Sequence, residues 1–130
     1  MAGQHLPPDH TKGDERTIGG YMAVHARPAA FEGSDGFSYS VEIVADTTGE
    51  RLRPYGAYFL FLRWKRLGEQ GIAGHLETDF LTRGASETEV RHALGRLPLA
   101  EVKATLEALI AATAGDRPAR KWYDVMRDDD

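Results

Sequence analysis

From Ile18 to Leu81 the chain reads as apolar runs of strand length, alternating with period two between Gly71 and Leu81, and after Gly84 apolar residues recur at every third or fourth position; this change of pattern most limits the folds open to the chain. Period two sends alternate side chains to opposite faces of a strand, whereas i, i+3, i+4 and i+7 line one stripe of a helix. Strands come first and helices last, with no crossover helix between strands. That order describes an α+β domain with an antiparallel sheet rather than a wound parallel one. Four strands are expected at residues 20–27, 37–45, 55–65 and 71–81, separated by loops rich in Gly, Asp and Pro.

The helical part opens at Ser86, which with Glu89 three residues on forms a capping box able to satisfy orphan backbone donors. Val90, Ala93, Leu94 and Leu97 make one stripe. Pro98 restricts Leu97 and suits the first position of a second helix, whose stripe of Leu99, Val102, Leu106, Leu109, Ile110 and Thr113 runs to a stop at Gly115. The expected architecture is a four-stranded, mainly antiparallel sheet with two C-terminal helices packed on one face, within residues 18–115. Residues 1–17 have no apolar period and read as a flexible tail. Residues 116–130 read as a C-terminal tail whose aromatic segment, Trp122, Tyr123 and Met126, either docks on another protein or folds back on the domain.

At 130 residues and 42% hydrophobic content the chain is long enough for one core without staples. The formal net charge of −4 provides no positive field for a phosphate backbone, so nucleic acid is not an expected partner. The absence of cysteine removes disulfides, thiolate metal sites and thiol nucleophiles together. No stretch approaches the ~18 apolar residues of a membrane span, and the opening residues carry no apolar h-region. A soluble, cytoplasmic protein without a membrane partner is expected.

A two-residue turn at Thr48 and Gly49 would place Tyr39 opposite Tyr58 and Phe37 opposite Leu60. A turn about Gly68 would place Leu60 opposite Leu76, Leu62 opposite Gly74 and Trp64 opposite Ile72. Both turns put the same apolar residues on the helix-covered face, and Met22, Val24 and Ala26 would join them. The other face then collects His25, Arg27, Ser38, Ser40, Glu42, Phe59, Phe61, Arg63, His75, Glu77 and Asp79 as a candidate binding face. Its two phenylalanines call for a cover, whether the C-terminal tail, a second subunit or a small ligand. Pro54 complicates the first turn, because it cannot donate to a ladder.

His75, Glu77 and Asp79 share one side of the last strand and are the candidate metal ligands, with His25 as a fourth group. Same-face residues lie ~7 Å apart along a strand, so one ion cannot easily reach all three, and a solvated strand face shows the same alternation. A paired-carboxylate hydrolase using Glu77 with Asp79 or Glu42, and Arg63 to orient an anionic substrate, is the enzymatic alternative. The loop 31–36, with Ser34 and Asp35 between glycines, reads as a turn between strands rather than an anion loop or a serine site. Arg63, Lys65 and Arg66 beside Trp64 read as a charged sheet edge. The leading expectation is a noncatalytic binding or protein-interaction module, without a cofactor, engaging a protein partner or a second copy of itself, with a small ligand as a further occupant.

Overall fold

The structure, a computed structural model, describes residues 7–65 and 71–127, with side chains through Thr113. Its elements follow in the order α1 (Ile18–His25), β1 (Ala30–Glu32), β2 (Ser38–Thr47), β3 (Tyr55–Trp64), β4 (Ile72–Glu77), β5 (Thr82–Gly84), α2 (Glu87–Gly95) and α3 (Leu99–Arg127). All strand pairs are antiparallel, in the order β1-β2-β3-β4, and β5 pairs with β3 beyond the end of β4. The fold is α+β. Among the described residues no helix is long and apolar enough to cross a membrane.

The first expected strand is instead α1. Thr17 holds extended backbone and its side chain accepts the Gly20 N–H at 3.0 Å, and Ala26 closes the helix in the left-handed region at φ 54°. Tertiary contacts decide this, since the Ile18 N–H donates to the Leu97 carbonyl at 2.9 Å and Gly19 lies against Gly95 of α2. Residues 7–17, expected as a tail, also bond to the domain: Asp9 N–H reaches the Val24 carbonyl at 3.0 Å. Glu15 stands between two imidazoles, 3.0 Å from His25 and 2.6 Å from His10, and these contacts hold its carboxyl below the usual range.

Between β2 and β3 the chain makes a loop over residues 48–54, because Thr47 pairs with Tyr55 and not with Glu50. Pro54 leaves the ladder and offers its carbonyl to Thr48 N–H at 2.9 Å. The opposite arrangement of β3 follows. Tyr39 now faces Arg63, Val41 faces Phe61 and Ile43 faces Phe59. On the other edge Phe61 pairs with Leu76, one residue out of the expected register. Both slips are odd, so β3 is turned over against β2 and against Leu76 of β4, whereas past the irregularity between Arg63 and Trp64 the expected pair of Trp64 with Ile72 stands, on the opposite face from the one expected.

One sheet face therefore carries Tyr39, Val41, Ala57, Phe59 and Phe61, all buried, under Ile18 of α1, Val90 and Leu94 of α2, and Val102 and Leu106 of α3. Ser86 caps α2 as expected, accepting the Glu89 N–H at 3.1 Å, and the Glu89 carboxylate turns back to Ala85 N–H at 3.2 Å. Gly115 does not stop α3, which continues through Pro118 to Arg127. The side chains of Trp122, Tyr123 and Met126 lie outside those described.

Candidate interaction face

With the helices on one side, no helix among the described residues covers the other, open side of the sheet. Its middle is the outward row of β3: Tyr58, Leu60, Leu62 and Trp64. Cross-strand pairing sets the neighbours of each. Leu60 lies between Glu42 and Glu77, Leu62 between Ser40 and His75, Trp64 between Ser38 and Ile72, and Tyr58 beside Val44. Trp64 is 39% exposed and Ile72 48%, and Leu60 and Leu62 are half-buried. The Trp64 indole N–H donates to Ser40 Oγ at 3.0 Å, which holds the ring against the sheet.

The end of this row is closed by an irregularity in the edge. After Glu77 the chain leaves β3 and returns at Thr82, and the Thr78 hydroxyl takes over the Phe59 N–H at 3.2 Å. The excursion lays Phe80 over β3, its ring 5.9 Å from that of Tyr58. Gly56 makes the seat, since a Cβ there would meet the Phe80 ring at 2.5 Å. Asp46, Tyr58, Glu77, Thr78, Asp79 and Phe80 line a shallow groove of about 290 Å³. The surface is thus an apolar ridge with carboxylates on both flanks.

Of the expected face residues, Ser38, Ser40, Glu42, His75 and Glu77 lie here, and Asp79 borders the groove. Phe59 and Phe61 do not: both are 0% exposed in the core, because β3 is turned over. Arg63 goes with them, its guanidinium 4.8 Å from the Phe37 ring. His25 and Arg27 belong to α1 and its exit, where Tyr21 stacks on His25 at 4.3 Å and its hydroxyl accepts from Arg27 at 3.2 Å. The carboxylate of Glu77 is 3.9 Å from His75, and His25 does not join them. Among the described residues no three His, Asp or Glu side chains converge on a site for a metal ion. The loop 33–36 is a hairpin turn, with Gly36 at φ 86°.

Sequence reasoning placed Tyr58, Leu60, Leu62, Trp64 and Ile72 in the core, set Phe80 on the same strand face as Ile72, and left out Val44. A signal was present. Residues 55–62 hold no charged side chain, so β3 is apolar on both faces, the mark of a strand covered on both sides.

Arg63 and Asp35 also set the ionisation of Tyr39. Its hydroxyl donates to Asp35 Oδ2 at 2.6 Å. Burial and then the Asp35 carboxylate push the phenol up to about 12, against the opposing pull of Arg63. The folded state therefore prefers neutral Tyr39: its contribution to stability is complete below about pH 10, where the unfolded phenol titrates, and is lost as pH rises to about 12. Alkaline titration by ultraviolet absorbance is expected to show a late phenol component that Tyr39→Phe removes. Loss of a different component would contradict the assignment.

Geometry defines the class: an α+β domain with one sheet face covered by helices and the other, under no helix of the described residues, apolar and flanked by acids. Set against protein-family models, curated proteins and solved structures, the chain matches none.

Proposed function

We propose that the chain is a noncatalytic protein-interaction module whose open sheet face receives an apolar, basic segment of a partner protein. The observation that carries this reading is the Leu60, Leu62 and Trp64 row, half-buried to exposed and under no helix of the described residues, on a central strand whose composition suits cover on both faces. Its flanks select the partner's charge. Two copies face to face would bring Glu42, Asp46, Glu77 and Asp79 towards one another, whereas Lys or Arg on a partner would complement them. An amphipathic helix is the simplest such partner, with its apolar face on the ridge and its cations over the carboxylates.

A Leu/Lys amphipathic helical peptide, titrated into isotopically labelled protein, is expected to shift the amides of Leu60, Leu62 and His75 and the Trp64 indole. The Glu42→Lys, Glu77→Lys double variant should weaken binding by about tenfold or more, and raised salt should act in the same direction. Equal affinity for a Leu/Glu peptide of the same pattern would overturn the charge argument. Shifts confined to the helix layer, or a face-to-face dimer that excludes the peptide, would overturn the proposal.

A further inference from the structure

A second concavity lies on the helix layer, remote in sequence from β3. It is a cleft of about 330 Å³ lined by Lys12, Gly13, Asp14, Thr17, Gly19, Gly20, Arg91, His92, Gly95 and Arg96. Lys12, Arg91 and Arg96, with the His92 imidazole, face a single carboxylate, in a chain whose formal net charge is −4. That carboxylate is already engaged: Asp14 accepts from the Arg16 backbone at 3.0 Å and from its side chain at 3.4 Å, and its pKa is lowered. Among the described residues, none of the lining cations is in an ion pair with an acid.

These residues line one cleft because glycines let three segments meet at backbone distance. A Cβ on Gly20 would fall 1.9 Å from the Asp14 carbonyl oxygen, one on Gly13 2.9 Å from Gly20 Cα, and one on Gly19 3.0 Å from Gly95 Cα. The floor is therefore bare backbone, against which a ligand can lie closely. Arg91 is held in place, one guanidinium nitrogen donating to the Ile43 carbonyl at 2.7 Å while its other N–H groups stay available. Thr17 already takes the Gly20 N–H, so the charge of the site comes from side chains rather than from an open helix end.

We infer that this cleft binds a small phosphate-bearing molecule, the phosphate held between Arg91, Arg96 and Lys12 and the remainder lying on the glycine floor. Planar guanidinium groups and an ammonium complement phosphate oxygens directly, and a cleft of about 330 Å³ suits a small metabolite rather than a polymer. This site is independent of the open sheet face.

Pyrophosphate and, separately, ADP should be titrated into the full chain with backbone amide shifts as readout. Saturable shifts confined to residues 12–20 and 91–96 are expected. The Lys12→Gln, Arg96→Gln double variant should bind about tenfold or more weakly, and Arg27→Gln should bind as the parent does. Tighter binding of ADP would show that the floor is used, and equal binding that phosphate alone is recognised; either supports the site. Absence of saturable shifts with both probes, shifts spread alike over Arg27, Arg51 and Lys103, or unchanged affinity in the double variant would overturn it. Arg91 stays intact throughout, so its contact with β2 is not disturbed.

Discussion

Phe61→Ala is expected to lose about 3–5 kcal/mol of stability, while Leu62→Ala, one residue further along the same strand, should lose only about 1 kcal/mol. Phe61 is 0% exposed, its ring centroid lies 6.0 Å from that of Phe59, and it pairs with Val41 on one side and Leu76 on the other. Truncation removes both the transfer energy of the ring and the contacts of a cavity whose walls belong to three strands and the helix layer. Leu62 is half-buried on the open face and leaves no closed cavity behind. Against the ~5–15 kcal/mol stability of an ordinary domain, the first change brings the chain near unfolding and the second does not. Urea unfolding would measure both as shifts of midpoint at constant slope. Equal losses, or a larger one at Leu62, would mean that β3 is turned the other way.

Gly20→Ala has the second large effect, and its sign runs against helix propensity. In an unconstrained helix the exchange stabilises by about 1 kcal/mol, because Ala has less backbone entropy to lose. Here the new Cβ would lie 1.9 Å from the Asp14 carbonyl oxygen and 2.5 Å from its carbon. Those are backbone atoms, so no side chain can swing away, and either the turn at residues 13–14 or α1 must move. A net destabilisation of about 1–3 kcal/mol is expected, the range for overpacking. Faster hydrogen exchange at Ile18 and Leu99 should accompany it, because their N–H groups bond to the Leu97 and Arg16 carbonyls across the same junction. A stabilised variant with unchanged exchange would show that the contact relaxes freely.

Much of the fold was legible where the deciding chemistry is local. The Ser86 and Glu89 cap, the break at Pro98 and the alternation of Ser38, Ser40 and Glu42 against Tyr39 and Val41 each stand within a few residues of sequence. Half of the open face was legible for the same reason: His75 and Glu77 alternate with Leu76, and that pattern survives any register. Its apolar ridge was not. Residues 55–62 are apolar at both parities, so only the partner strands can tell Phe61 from Leu62, and the partners are set by the length of the loop 48–54. Residues 20–27 failed differently, since a helix of two turns carries too few apolar positions to show its period, and its support comes from Leu97 and Gly95.

Period, capping and composition thus determined the α+β class, the antiparallel sheet, the start of α2 and the acidic balance, because each depends on residues within one or two turns of each other. Only the tertiary structure decided which face of β3 is buried and that α1 is a helix. It also decided that Lys12, Arg91 and Arg96 meet around four glycines. Those outcomes depend on pairings between distant segments, where a shift of one residue reverses a strand and a single Cβ keeps two backbones apart.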